Sequence, residues 1–271
     1  MQGWKTWIPT EQKIDYINSL LKVGFDTIDF GSFVSEKAIP QMKDTAQVLS
    51  ALDLTNTNSK LLAIVANLRG ATEACDHPEI ALIGFPFSIS ETFQKRNTNS
   101  SISESFEAVK YIQDLCTRFN KKLVIYISMG FGNPYGDVYN QEIVLDYVSK
   151  FSNLGIGVIS LSDTVGLATT DQISSILKQV IPQYKKIEIG VHLHSNAASQ
   201  EAKIFAALNA GCTRFDGALK GIGGCPMAND KLVGNISTEI MIDSFTKKGI
   251  NLNINTSNLI TALGMAQEIF H

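Results

Sequence analysis

The sequence predicts an α/β protein of the (β/α)8 class, a TIM barrel, that lacks the barrel's first strand. Short β-rich segments alternate with segments of helical period from residue 11 onward, which is typical of repeated βα units around a parallel sheet. Polar and glycine-rich clusters repeatedly follow the predicted strands, where the active sites of such barrels assemble. The length of 271 residues suits one barrel, which typically needs about 250.

The first predicted helix covers residues 11–23, and the first predicted strand follows it at once. Thr10 stands where a capping side chain is favoured, and Gly24 stands where a left-handed helix exit is favoured. The strand segments are short, apolar and rich in Ile, Val and Leu, as expected for strands covered on both faces. The predicted strands are residues 25–30, 61–66, 80–85, 123–128, 157–162, 187–194 and 214–219.

Amphipathic helical segments lie between these strands, and several end in glycine. Examples are residues 104–119, 142–154, 172–180, 198–210 and 237–248. Seven strands are one fewer than a closed barrel needs, and the chain opens with a loop and a helix. We therefore expect Met1 to be an internal methionine taken as a start, with strand one encoded upstream. An open α/β sheet is the alternative.

Composition indicates a single globular domain over residues 1–271, with 44% hydrophobic and 18% charged residues. The net charge of −3 gives no electrostatic case for nucleic acid or an anionic membrane surface. No apolar run approaches the roughly 18 residues of a membrane span. The four cysteines show no Cys-x-x-Cys spacing, and no secretion signal is visible. These features predict a cytoplasmic protein with a small-molecule partner.

Two histidines, His192 and His194, end the strand predicted for residues 187–194. The period of two places both imidazoles on one side of the strand, which suits two ligands of one cation. The alternative is a pair of hydrogen-bonded core residues, but two neighbouring buried imidazoles require a shared reason.

A glycine-rich loop, residues 221–228, follows the last predicted strand and carries Cys225. Its glycines permit backbone conformations that other residues resist. The functional interpretation is a thiol that acts as an acid or a base, and the alternative is a turn with an incidental cysteine.

Asn235 and Glu239 come next, where an asparagine can cap a helix and an acid is stabilised in its first turns. At the face of a barrel that holds the histidines, the Asn235 amide oxygen would also suit a Mg²⁺-like ion. Asp29 and Asp163 mark the ends of two other strands. Each could be a turn residue, or a carboxylate that serves as a base near a metal.

At these residues the sequence resembles the hydroxymethylglutaryl-CoA lyases, metallolyase barrels related to isopropylmalate and homocitrate synthases. The resemblance covers essentially the whole chain, and the Gly-Gly-Cys-Pro loop distinguishes the lyases from the synthases. The segments that carry it are Ser32-Phe33-Val34-Ser35, Pro40-Gln41-Met42, Asn133-Pro134-Tyr135-Gly136, Ser162-Asp163-Thr164-Val165-Gly166, His192-Leu193-His194, Gly223-Gly224-Cys225-Pro226 and Gly234-Asn235-Ile236-Ser237-Thr238-Glu239.

The resemblance implies that the protein cleaves 3-hydroxy-3-methylglutaryl-CoA to acetyl-CoA and acetoacetate, a retro-Claisen step of leucine degradation. It implies that His192, His194 and Asn235 bind Mg²⁺ or Mn²⁺. Cys225 would be the catalytic thiol and Asp163 would assist proton transfer.

Asp29 and Glu239 are further catalytic candidates, and Gln2, Lys5 and Ser32 are candidates for binding the acyl-CoA substrate. Lys5 lies where the family uses a lysine near the phosphates; otherwise it is a solvated charge.

The sequence departs from the family at its opening Arg-Asp-Gly-Leu-Gln motif, of which Met1-Gln2 matches only the Leu-Gln end. Asp29 stands where the lyases have Glu, and Ser195 stands where Asp follows the second histidine. Because one anionic ligand is missing, we expect weak metal binding and low activity. The alternatives are a related aldolase or condensing synthase, and a catalytically silent barrel that binds an acyl-CoA. A homodimer is left open.

Overall fold

The computed structural model describes residues 1–223 and 233–271. The strands are β1 (Thr27–Ser32), β2 (Lys60–Ile64), β3 (Ile80–Ser88), β4 (Lys122–Ser128), β5 (Val158–Asp163), β6 (Glu188–Leu193) and β7 (Arg214–Asp216). The helices are α1 (Thr10–Leu21), α2 (Thr45–Ser50), α3 (Leu68–Cys75), α4 (Glu91–Thr98), α5 (Ile102–Arg118), α6 (Gln141–Asn153), α7 (Thr170–Gln183), α8 (Gln200–Asn209), α9 (Thr238–Lys247) and α10 (Thr256–Ile269).

The described strands form one seven-stranded sheet in which sequence neighbours are spatial neighbours, from β1 to β7. Every neighbouring pair is parallel. A doubly wound open sheet reverses its strand order at a switch point, and this sheet has no reversal. The sheet instead curls into an incomplete barrel with β1 and β7 at its edges. The predicted count of seven strands is therefore confirmed for the described residues.

The two faces of the curled sheet bury different sets of apolar side chains. The outward-facing set includes Ile125, Ile159 and Val191, which join the main core beneath the surrounding helices. A separate cluster of inward-facing residues fills the lower part of the lumen. Its buried members are Leu62, Leu82, Val124 and Val158. This packed floor leaves the carboxyl ends of the strands as the open end of the sheet, where polar side chains are found.

Several predicted strand boundaries are corrected by the structure. The strand predicted for residues 187–194 ends at Leu193, so His194 lies just after it. The strand predicted for residues 25–30 begins two residues later, since Gly24 at φ 93° completes the exit from α1 and packs closely against Asn253. The strand predicted for residues 214–219 ends at Asp216. After that point the Ala218 amide donates to Ile236 O at 3.0 Å, so the backbone pairs with residues before α9 rather than with β6.

Local sequence signals explain where several helices begin. α5 begins with a capping box in which Ser101 and Glu104 satisfy each other's backbone amides, and Thr169 and Gln172 do the same for α7. No helix within the described ranges is long and apolar enough to cross a bilayer.

Candidate active site at the carboxyl ends of the strands

The two histidines at the carboxyl end of β6, His192 within the strand and His194 just after it, face each other on the inner side of the sheet. His192 and His194 lie two residues apart, so the alternation of the strand turns both rings toward the lumen. Their Nε2 atoms are 3.3 Å apart. His194 is almost fully buried, and the His192 side chain is 32% exposed, so one ring is anchored and the other reaches the open end. The prediction that the two imidazoles share a side is confirmed.

The groups that face the two Nδ1 atoms determine whether each Nε2 atom carries a proton or a lone pair. His194 Nδ1 lies 3.0 Å from the carbonyl oxygen of Val233, which can only accept, so Nδ1 carries the proton and Nε2 keeps a lone pair. Burial and the adjacent His192 lower the pKa of His194 to about 4, which keeps this ring neutral near pH 7. His192 Nδ1 is 3.4 Å from Asp216 Oδ2. A histidine whose outer nitrogen faces a carbonyl or carboxylate is the usual arrangement of a metal ligand.

Asn235 lies beside His194 because the segment that contains it pairs with the end of β6. The two residues form an antiparallel bridge, and the Ser195 amide donates to Gly234 O at 3.0 Å. Asn235 Nδ2 donates to Ile222 O at 3.1 Å, which orients the amide and leaves Oδ1 as an acceptor. The structure therefore brings all three predicted metal ligands together.

Buried polar atoms without partners are concentrated near the histidines. Among the described residues, Ser162 Oγ, His192 Nδ1 and Arg214 Nε lack hydrogen-bond partners, and they lie on the adjacent strands β5, β6 and β7. Ser162 is the register partner of His192 in the β5–β6 ladder. Orphaned buried polar groups are uncommon and are often completed by an ion, water or ligand.

A charged network supports His192 from below. Arg214 lies inside the lumen against Gly190, two register positions below the His192–Asp216 pair. Its Nη1 is 3.4 Å from Glu188 Oε1. Burial alone would lower the pKa of Arg214. Asp216 and the other acidic groups around it outweigh this effect, so the pKa of Arg214 is raised overall. A permanent cation therefore lies close to Asp216, the carboxylate that faces His192.

Asp29 lies on β1, at the opposite edge of the sheet from β7. Solvent reaches its side chain through the lumen, although protein atoms surround it closely. Loss of hydration is the main cause that raises the pKa of Asp29 to about 7, and the charge of Asp216 acts in the same direction. A carboxylate with this pKa can accept and release a proton near neutral pH.

Asp163 points away from the histidine rings. Its register partner is Leu193, and it shares the outward face of β5 with Ile159 and Leu161. The carboxylate forms a 2.7 Å ion pair with Lys203 Nζ and accepts the Ala168 amide at 3.0 Å. The proton-transfer role predicted for Asp163 remains a prediction, and in this arrangement the carboxylate is already engaged by other groups.

The remaining candidates are dispersed. Glu239 accepts from the Lys220 amide at 2.9 and 3.1 Å, so it anchors the turn that leads into the 221–228 loop. Ser32 is buried with an unpartnered Oγ at the end of β1. Gln2 and Lys5 are exposed on the segment before α1. Their roles in catalysis or substrate binding stay predictions, and Cys225 lies outside the described residues.

Three residues of the site were not singled out from the sequence: Asp216, Arg214 and Lys203. Arg214 and Asp216 lie two positions apart in one short strand, and two charged residues on the same face of a buried strand are a signal that can be found in the sequence. Lys203 lies on a helix, where lysine is ordinarily a surface residue. Only its burial, with 4% of the residue exposed, shows that it is different.

The donor set fits a divalent cation, although no group of three His, Cys, Asp or Glu side chains is arranged for a metal within the described part. Two imidazole lone pairs that converge within 3.3 Å repel each other unless a proton or a cation lies between them. The Asn235 amide supplies an oxygen ligand of the kind that Mg²⁺ and Mn²⁺ accept.

Comparison with known proteins identifies relatives over almost the entire chain. The HMGL-like family model matches residues 2–265. A hydroxymethylglutaryl-CoA lyase of Bacillus subtilis is 31% identical over 268 residues, which are 99% of this chain and 89% of that protein. A cytoplasmic 3-hydroxy-3-methylglutaryl-CoA lyase of Rattus norvegicus is 31% identical over 97% of this chain and 76% of its own length.

A solved structure gives the same result for the fold. An HMG-CoA lyase from Acinetobacter baumannii, in complex with coenzyme A and 3-methylmalate, superposes with a TM-score of 0.91 at 30% identity. The superposition covers 99% of this chain and 87% of that chain.

Proposed function

The chain belongs to the HMGL-like family, and from that premise we propose that it cleaves 3-hydroxy-3-methylglutaryl-CoA to acetyl-CoA and acetoacetate. The relatives are named for this carbon–carbon bond cleavage. The coenzyme A complex of the related lyase supports an acyl-CoA substrate. In this proposal residues 1–271 form one domain, whose strands correspond to seven of the eight strands of a (β/α)8 barrel.

The observation that carries the proposal is the convergence of the two histidine Nε2 atoms 3.3 Å apart. Each Nδ1 faces an oxygen atom, from Val233 or from Asp216, so both rings can present Nε2 lone pairs to the open end of the sheet. This arrangement, together with the Asn235 amide, would hold Mg²⁺ or Mn²⁺. A divalent cation held there supplies positive charge that polarises the oxygen atoms of a bound 3-hydroxy acid.

The cleavage requires one group to accept the proton of the tertiary hydroxyl. The bond between the hydroxyl-bearing carbon and the thioester α-carbon then breaks, and its electron pair passes to the thioester enolate. We assign the acceptor role to Asp29, because a pKa of about 7 makes it both available and basic enough near neutral pH. The enolate carbon must take up a proton to give acetyl-CoA, and Cys225 is the proposed donor.

The remaining residues of the site orient these groups. Asp216 Oδ2 lies 3.4 Å from His192 Nδ1, and Arg214 lies beneath this pair. Cys75, Cys116 and Cys212 are free buried thiols, which supports a reducing compartment such as the cytoplasm for this protein.

The test is a product assay with purified full-length protein, 3-hydroxy-3-methylglutaryl-CoA and Mn²⁺. We expect stoichiometric release of acetoacetate and acetyl-CoA, and loss of both in His192→Ala. A control variant, Lys247→Ala, removes the exposed ion pairs of Lys247 with Glu201 and Asp243 and should keep the activity. Release of pyruvate from a 2-oxo acid substrate instead would favour an aldolase or synthase. Acyl-CoA binding without any turnover would favour a silent barrel.

A further inference from the structure

Lys203 is a buried lysine whose ammonium group is fully hydrogen-bonded. It lies on α8, and only 4% of the residue is exposed. Nζ donates to Asp163 Oδ2 at 2.7 Å, to His194 O at 2.9 Å and to Gly166 O at 3.1 Å. An ammonium group has three protons, and three acceptors surround this one. Lys203 therefore has a fixed geometry rather than the mobility of a surface lysine.

The three acceptors belong to two adjacent strand ends. Asp163 is the last residue of β5, and Gly166 is in the loop that follows it. His194 comes immediately after β6. The side chain of Lys203 thus ties the backbone that carries His194 to the neighbouring strand and to α8, from the face opposite the histidine rings.

The position of the His194 ring depends on this backbone. Its Nδ1 donates to Val233 O, and its Nε2 faces His192. The carbonyl that Lys203 binds is that of His194 itself. Any displacement of this peptide changes both ring contacts. Asp163, with its carboxylate held by Lys203 and by the Ala168 amide, supplies the counter-charge that a buried lysine requires.

We propose that Lys203 is a positioning residue that holds His194 in its cation-binding orientation, with Asp163 as its counter-ion. This inference rests on the proposed function for the role of the histidines. It assigns Asp163 to the support of the site and not to proton transfer at the reacting atoms.

The chain offers a matched control, because Lys13 forms a second buried ion pair of equal length. Lys13 Nζ is 2.7 Å from Asp44 Oδ1 and also donates to a backbone carbonyl, that of Gln41. Both lysines are almost completely buried. Lys13 has no contact with the histidines or with Asn235. Lys13→Met and Lys203→Met therefore each remove one buried lysine–aspartate ion pair.

The first measurement is isothermal titration calorimetry of the full-length protein with Mn²⁺ alone. We expect Lys203→Met to weaken the affinity about tenfold, the lower end of the loss that follows removal of outer supporting partners of metal ligands. Lys13→Met should stay within about twofold of the unsubstituted protein. A folded Lys203→Met that binds Mn²⁺ as tightly as Lys13→Met overturns the proposal.

If Lys203→Met does not fold, the double variant Lys203→Met/Asp163→Leu takes its place. It removes the hydrogen bond to His194 O without leaving an uncompensated buried carboxylate. The same loss of Mn²⁺ affinity is expected, and an unchanged affinity overturns the proposal.

A second measurement needs no metal and separates this inference from the proposed function. The His194 Nδ1 proton, hydrogen-bonded to Val233 O, should give a protected imidazole N–H signal in the proton NMR spectrum. We expect Lys203→Met to lose or shift this signal and Lys13→Met to keep it. If the unsubstituted protein fails to bind Mn²⁺, the proposed function fails, and the N–H signal still decides the role of Lys203: an unchanged signal in Lys203→Met overturns that role.

Discussion

Two buried lysine–aspartate pairs, Lys13–Asp44 and Lys203–Asp163, use the same interaction in two different parts of the molecule. Each has an N–O distance of 2.7 Å, and each of the four side chains is at most 8% exposed. Lys13 joins α1 to the segment before α2, and its Nζ lies 3.8 Å from the centre of the Trp7 ring. Lys203 joins α8 to two strand ends beside the histidines.

The role of each buried ion pair depends on the other groups that its cation binds. Besides its ion pair, Lys13 donates a hydrogen bond to Gln41 O, which stabilises the fold near the N-terminal segment. Besides its ion pair, Lys203 donates hydrogen bonds to His194 O and Gly166 O, which are connected to the candidate active site. We expect the two pairs to be equivalent in stability and different in function.

The largest expected effect tests their equivalence. Lys13→Met and Lys203→Met each leave an aspartate buried without its cation, so each should lower the free energy of unfolding by about 3–5 kcal/mol. Urea denaturation followed by circular dichroism measures this loss, with the exposed-pair variant Lys247→Met expected within about 1 kcal/mol of the unsubstituted protein. A difference of more than 2 kcal/mol between the two buried-site variants would show that the two ion pairs do not stabilise the protein equally.

A smaller effect should separate the two pairs when metal is added. At a Mn²⁺ concentration of 100 times the dissociation constant of the unsubstituted protein, binding should raise the free energy of unfolding by about 2.7 kcal/mol. Lys13→Met should show the same increase. A tenfold weaker affinity in Lys203→Met should reduce the increase to about 1.4 kcal/mol. Equal increases in both variants would mean that Lys203 has no influence on the site.

Asp29 is an acid of the candidate site that belongs to neither buried ion pair. Its pKa is raised to about 7, so the basic form predominates only above that pH. We expect kcat/KM to fall about tenfold for each pH unit below 7, and to level off above it.

The pH dependence of the folding stability has the opposite sign to that of kcat/KM. The folded state holds the Asp29 proton more tightly than the unfolded chain does, so this residue makes the protein less stable as the pH rises from about 4 to 7. Asp29→Asn should lower the activity and remove both dependences. A pH profile with the same midpoint in Asp29→Asn would exclude Asp29 as the base.

The smallest expected effect comes from replacing both members of a pair by apolar side chains. Lys203→Met/Asp163→Leu and Lys13→Met/Asp44→Leu should each unfold within about 1 kcal/mol of the unsubstituted protein, since no buried charge is left unpaired. Of these two double variants, only Lys203→Met/Asp163→Leu should bind Mn²⁺ more weakly than the unsubstituted protein. Recovery of the affinity in that double variant would show that the charge of Asp163, and not the bond to His194 O, had caused the loss.

Much of this site could be predicted because it depends on local alternation. The spacing of His192 and His194 places both rings on one face of any strand, wherever that strand lies in the sheet. The strand count could be predicted for the same reason, since each apolar segment carries its own signal. The short length of β7 could not, because its hydrogen bonds after Asp216 go to residues 236–238, which only the folded chain brings near.

The alternating βα pattern, the same-face histidines and the asparagine after the glycine-rich loop could all be predicted from the sequence. The direction in which Asp163 faces and the groups that it binds depend on the folded chain, because Lys203 is 40 positions away. The docking of α8 against β5 and β6 sets that contact, and no periodicity within either segment encodes it. A lysine on a helix has the same sequence signature whether it is solvated or buried, so the support of His194 became visible only in the folded protein.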